Sequence, residues 1–306
     1  MPIRLATRSW GAGAGADDGV GADDGVDAGG RLALLIHGVT SSSRTWWRVA
    51  PELVRRGYRV LAVDLRGHGA SPGIGEGVAL NDLTADVLET LQADGARPAA
   101  DPGDVGADGG RAGVEPGHGG HAGGAAIDLV VGHSLGALVA LDLLAREPGL
   151  ARRLVMEDPP GPTGVDWTAM AEGIEADGRR ARAEPDAMRQ DLAASNPVWG
   201  PEEVDRRLAD LAACDSDGVA AALGRTTAFD LPGLAAVVRI PTLLVVGMED
   251  LGSALVGPDR KSLVGALAGH VAFEALDAGH NLHREAFESF MDVLDRWLAA
   301  TAATEG

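Results

Sequence analysis

One cysteine, Cys214, is present in 306 residues, so no disulfide can form within the chain. That suits a reducing compartment, and the cytoplasm is the expected location. Aromatic residues make up only 4% of the chain. No apolar run approaches the ~20 residues needed to cross a bilayer. The opening MPIRLATRSW lacks the apolar stretch and small-residue cleavage site of a secretory signal. Positive charge is short as well: the formal charge is −19 and no basic stripe offsets it. Nucleic acid and anionic membrane surfaces are therefore excluded as partners.

What is present begins with two stretches of low complexity. GADDGV occurs twice in tandem, at 15–20 and 21–26. Its Asp-Gly pattern lacks the spacing and closing glutamate of a calcium loop, so it reads as solvated chain. A second stretch, about 93–126, is mostly Gly, Ala, Asp and Pro. Its His118 and His121 are flanked by glycine, and nothing preorganises them for a metal. Both stretches, about 11–30 and 93–126, are expected to be surface insertions.

The remainder alternates. Short apolar runs stopped by glycine or turn residues predict strands at 31–38, 58–65, 126–134, 152–158, 241–247 and 271–276. Helical periodicity is expected from Ser43 or Arg44 through Arg56, over 81–91 and 135–147, and from about Glu285 to Leu298. Strands alternating with helices imply a mostly parallel central sheet covered on both faces. From 159 to 236 that rhythm stops, and several short helices are expected without a strand. An insertion there overhangs the carboxyl ends of the strands, where ligands bind in open α/β sheets, and is expected to act as a lid. Its Trp167 and Trp199 are the candidate walls of a substrate pocket. The chain divides accordingly into core residues 1–158, the helical segment 159–236 and core residues 237–306.

GHSLG (132–136) fits G-x-S-x-G and stands where a buried strand runs straight into a helix. That context is what a nucleophile elbow requires, since the turn lifts Ser134 clear of the sheet. A chance match of the pattern is common, but one at such a junction is not. A serine hydroxyl needs a neighbouring base to take its proton. His280, on the Gly-bearing loop after the last strand, is the expected base. His283 is the rival, though it lies where the last helix begins. His37 and His68 fall in loops near the site, and His270 precedes a strand. HGVT (37–40) follows the first parallel strand, so the Val39 N–H could join that of Leu135 in binding an oxyanion.

HGVTSSSRTWW, VLAVDLRGHGAS (60–71), VVGHSLGA (130–137) and AGHNLHRE (278–285) resemble, in order and spacing, the motifs of α/β-hydrolase-fold enzymes. The resemblance covers most of the chain outside the Gly-rich insertions and is weakest in the lid. It implies an α/β-hydrolase fold with a helical lid between the sixth and seventh core strands, a Ser–His–acid triad and an oxyanion hole at Val39 and Leu135. It also implies that DLRGHGAS shapes the loop beside the site, leaving Asp64 without a catalytic role.

Two carboxylates compete for the third place in the triad. Asp250 in GMED lies where most members of the family carry their acid. Asp158 in VMEDPP ends the preceding core strand, resembling a minority that includes haloalkane dehalogenases and zearalenone lactonases. MEDLGSALV departs from the usual continuation after Asp250, which favours Asp158; Glu157 and Glu249 are more remote candidates. The expected reaction is hydrolysis of a small hydrophobic carboxylic ester or lactone, a macrolactone such as zearalenone being one candidate. No metal or organic cofactor is needed. A C–C bond hydrolase or a cofactor-free perhydrolase uses the same triad, and a slow-turnover ligand receptor is the alternative outside enzymes. The sequence leaves the oligomeric state open.

Overall fold

The structure is a computed structural model and describes residues 1–11, 30–95, 127–163, 165–226, 229–267 and 269–303. The GADDGV repeats and His118 and His121 lie outside these residues. The strands are β1 (Thr7–Trp10), β2 (Arg31–Ile36), β3 (Tyr58–Val63), β4 (Ile127–His133), β5 (Ala151–Glu157), β6 (Thr242–Val246) and β7 (Val271–Ala275). They form one sheet in the order β1-β3-β2-β4-β5-β6-β7. β1 pairs antiparallel with β3 and every other neighbouring pair is parallel. The jump from β3 back past β2 to β4 reverses the strand order, which opens a crevice at the carboxyl ends of β2 and β4.

Each strand feeds both faces, because successive side chains point to opposite sides. On β2, Leu34 and Ile36 join one core cluster while Ala33 and Leu35 join the other. The first cluster is covered by α2 (Leu80–Ala93) and α3 (Leu135–Arg146). The second is covered by α1 (Val49–Arg55), which contributes Leu53, and by a C-terminal helix running Phe287–Ala302, which contributes Phe290, Leu294 and Trp297. Two expected helices are displaced. The residues from Ser43 to Trp47 form a 3-10 turn before α1 instead of its first turns, because Ser42 caps the turn by accepting from the Arg44 N–H. The C-terminal helix starts two residues later than expected, after a break at Ala286.

Five helices lie between β5 and β6: α4 (Trp167–Ala183), α5 (Pro185–Ser195), α6 (Pro201–Ala213), α7 (Ser216–Thr226) and α8 (Leu231–Ala235). Among the described strands this insertion lies between the fifth and the sixth, not between the sixth and seventh as the resemblance implies. Ala181, Met188, Leu208 and Leu211 form a small cluster of the insertion's own, whereas α8 packs Leu231 and Ala235 into the main core. Beyond β6 come α9 (Gly257–Ala266), α10 (Leu282–Glu285) and the C-terminal helix α11 (Phe287–Ala302). No described helix is long and apolar enough to cross a membrane.

Candidate active site

Ser134 sits between β4 and α3 with φ 52° and ψ −120°. A side-chain-bearing residue there costs on the order of 1–3 kcal/mol, so the surroundings must hold it. Its N–H donates to the Glu157 carbonyl at 2.9 Å and its carbonyl accepts from Ala137 at 2.9 Å. The flanking glycines permit close packing: a Cβ on Gly136 would lie 2.1 Å from the Ile36 carbonyl oxygen, and one on Gly132 2.4 Å from that of Gly136. Ser134 is 4% exposed.

The two candidate acids are placed very differently. Asp158 is fully buried at the end of β5, with φ 41°. Its Oδ2 lies 2.6 Å from His280 Nδ1 and accepts from the Ala254 N–H at 2.8 Å. Its Oδ1 accepts from Ser253 Oγ at 2.6 Å and from the Gly247 N–H at 3.3 Å. Asp250 lies in an exposed 3-10 turn (Glu249–Leu251), and no described contact joins it to His280. Ser253 was not anticipated from the sequence; it lies in the atypical MEDLGSALV continuation, which was the available signal.

With Nδ1 held by Asp158, His280 Nε2 is the ring nitrogen without a described hydrogen bond. Among the described residues no hydrogen bond to the Ser134 hydroxyl is present, and such contacts commonly close only when substrate binds. The neighbouring His133 donates from Nε2 to the His280 carbonyl at 3.0 Å and stacks against its ring at 4.7 Å. The residue before Ser134 therefore anchors the backbone of His280.

His283, the rival base, is engaged on both nitrogens. Nδ1 meets the Glu157 carboxylate at 2.8 Å, and Nε2 meets Thr45 Oγ1 at 2.6 Å. A carboxylate can only accept, so the neutral His283 ring donates Nδ1–H to Glu157 and accepts at Nε2 from the Thr45 hydroxyl, whose oxygen also accepts from Arg284. Burial holds the His133 and His283 pKa values well below the ordinary histidine range and pushes that of Glu157 up. The ligand atoms of His133, Glu157 and His283 lie within 4.8 Å of one another, a spacing that could hold a metal. Two of the three already hydrogen-bond each other, so the cluster serves as a brace under the elbow.

The oxyanion candidates are Val39 and Leu135. Among the described residues neither backbone N–H has a hydrogen-bond partner. The Val39 N–H shares a peptide unit with the Gly38 carbonyl, which accepts from His37 Nδ1 at 2.7 Å. His37 Nε2 accepts from the Leu65 N–H at 2.9 Å, which fixes the tautomer and aims the peptide. Burial lowers the His37 pKa and favours the neutral ring. Asp64 accepts from the Ser43 and Ala70 N–H groups, shaping the two adjoining loops, as expected.

The pocket-wall candidates are both half-buried. Trp167 packs against the main core from the start of α4, and Trp199 lies 5.3 Å from the Arg284 guanidinium. Helix α6 also grips the loop after the first parallel strand: Asp210 accepts from Ser42 Oγ at 2.5 Å, and Glu203 accepts from Trp47 Nε1 at 2.7 Å.

The structure thus brings together a sheet whose strand order reverses at the site, a strained serine at a strand–helix junction and a histidine held by a buried carboxylate. The sequence profile of the alpha/beta hydrolase family matches residues 33–293, and the chain belongs to that family and is a hydrolase. It is 28% identical over 233 residues to the RutD protein of Variovorax paradoxus (strain S110), whose name is that of a carbamate hydrolase. That match spans 73% of this chain and 75% of the relative. The fold resembles an enol-lactonase from Burkholderia xenovorans LB400, with TM-score 0.67, 20% identity and 96% of each chain covered. It likewise resembles a thermophilic esterase from Thermogutta terrifontis, with TM-score 0.66, 20% identity and coverage of 97% and 93%.

Proposed function

We propose that this hydrolase cleaves a carboxylic ester or lactone through an acyl-enzyme on Ser134. His280 Nε2 takes the hydroxyl proton as Oγ attacks the carbonyl, and the developing oxyanion is received by the Val39 and Leu135 N–H groups. Collapse expels the alcohol, which leaves with the proton from His280. Water then attacks the acyl-enzyme with the same histidine as base, releasing the acid and restoring Ser134. Asp158 keeps Nδ1 protonated and stabilises the imidazolium that forms in both halves. The observation that carries this reading is the contact between the buried Asp158 carboxylate and His280 beside a strained serine.

In this proposal the helical segment 159–236 acts as a lid. What supports it is the near-complete burial of Ser134 together with the grip of α6 on residues 40–42. A hydrophobic substrate, including a macrolactone such as zearalenone, was expected from the large apolar groups of that segment. Met188 packs in the insertion's own cluster, and Trp167, Met170 and Phe229 pack against the main core, which leaves that substrate class with little support.

Intact-mass measurement after treatment with a fluorophosphonate tests the proposal. One adduct per chain is expected, mapped to Ser134 and absent from Ser134→Ala. An adduct that survives in the variant would overturn it.

A further inference from the structure

Helix α6 sends Arg207 to the loop beside the elbow. Its Nη1 donates to the Thr40 carbonyl and its Nη2 to Thr40 Oγ1 at 2.9 Å. Thr40 has φ 56° and follows Val39, whose N–H faces the reacting carbonyl in the mechanism above. The loop is close to the nucleophile: a Cβ on Gly38 would lie 3.0 Å from Ser134 Cβ. Two residues span at most about 7 Å, so the Arg207 head lies within reach of a short acyl chain on Ser134.

Arg66, Arg153 and Arg284, the buried arginines among the described residues, each face a carboxylate: Asp86, Asp128 and Glu203. Among the described residues Arg207 makes no ion pair; both its partners are neutral oxygens of Thr40. Two acids act on Arg207 through space without pairing with it: Asp210 is committed to Ser41, Ser42 and Arg284, and Asp177 is an exposed residue of α4 beyond ion-pair distance. Burial and the Arg284 cation pull the Arg207 pKa down to about 10. A guanidinium offers five N–H donors in a planar fork suited to a carboxylate, and Thr40 takes up only part of that capacity. Arg207 is only partly buried, and its Nε, which has no hydrogen-bond partner among the described residues, is not enclosed, so that donor is open to a ligand.

We propose that Arg207 docks a carboxylate carried by the substrate, on the acyl side and a few bonds from the scissile carbonyl. The natural substrates are then half-esters, or lactones bearing an acid, of a short dicarboxylic skeleton. This rests on the acyl-enzyme reading above and narrows it. An anion at this place completes the missing ion pair, and its charge-assisted bonds hold the acyl group against the Val39 N–H.

The test compares 4-nitrophenyl hemisuccinate with 4-nitrophenyl pentanoate, an ester of similar length without the charge. The wild-type kcat/KM is expected to favour the hemisuccinate about tenfold or more, against the repulsion of a chain with net charge −19. In Arg207→Gln that ratio should fall by about 10- to 100-fold, mainly through KM of the anionic ester, with Arg207→Lys intermediate. An equal loss on both esters would assign Arg207 to holding Thr40 alone, and the absence of a wild-type preference would also overturn the proposal. Turnover of either ester that persists in Ser134→Ala would instead sink the acyl-enzyme reading. Calorimetric titration of monomethyl succinate decides the matter without turnover: binding to Ser134→Ala that disappears in Ser134→Ala/Arg207→Gln supports the site, and no binding to Ser134→Ala refutes it.

Discussion

Asp158 and His280 are 122 positions apart in the chain, and their side chains meet at 2.6 Å. The carboxylate is held from the other side by Ser253 and the Ala254 N–H, so it reaches the imidazole already oriented. Asp158→Asn is expected to lower kcat by about 10³- to 10⁴-fold, because an amide can trap the ring in the wrong tautomer. Asp250→Asn should stay within about tenfold of wild type. Steady-state kinetics on one ester checks both, and the reverse pattern would transfer the role to Asp250.

Removing the nucleophile should cost on the order of 10⁶ in kcat. Ser134 also stores backbone strain, which Ser134→Ala retains and Ser134→Gly releases, since glycine tolerates positive φ. Urea denaturation should therefore find Ser134→Gly more stable than Ser134→Ala by about 1 kcal/mol. Equal stabilities would contradict the strained conformation of the elbow.

His37 aims the Gly38–Val39 peptide. His37→Leu removes the donor to the Gly38 carbonyl and should reduce kcat by about 10²-fold with a smaller effect on KM, the signature of a group that acts on the transition state. His37→Asn keeps a donor at the Nδ1 position and should recover part of the loss. If both variants are equally impaired, the bond does not set the peptide.

Four buried histidines make the fold sensitive to acid. Desolvation lowers the pKa of His37, His133 and His283, and that of His68 to about 3. Below the ordinary value of 6.5 the unfolded chain takes up protons that the folded chain refuses. Stability therefore drops as pH falls from 6.5, each group adding up to about 1.4 kcal/mol per pH unit until its folded pKa, about 3 for His68, is reached. Glu157, pushed up by burial, acts in the opposite sense above 4.5 and offsets part of this. Thermal midpoints are expected to be level above pH 7 and to decline steeply between pH 6.5 and 5; a flat profile across that interval would refute the account.

The parallel strands, the elbow at GHSLG and the loop carrying His280 were legible in the sequence because each follows from local rules. A buried strand must be an apolar run, a strand-to-helix turn needs its glycines, and a catalytic loop follows its strand by a few residues. The antiparallel strand Thr7–Trp10 was not legible: it pairs at the edge of the sheet, and its four residues show no apolar run. The choice between Asp158 and Asp250 was not local either. Both follow strand ends on the same edge of the sheet, and spacing allows either to reach the imidazole. Tertiary structure decides which does, by turning Asp158 inward at positive φ onto donors from the loop after β6 while leaving Asp250 in solvent. Arg207 is the extreme case. Nothing in PEEVDRRLADLAA tells it from Arg206, which pairs with Glu202 one turn earlier on its own helix. Only packing α6 against the loop from Thr40 to Ser42 places one guanidinium on that loop without an ion pair among the described residues, because the partner of a charge is set by what the fold brings near.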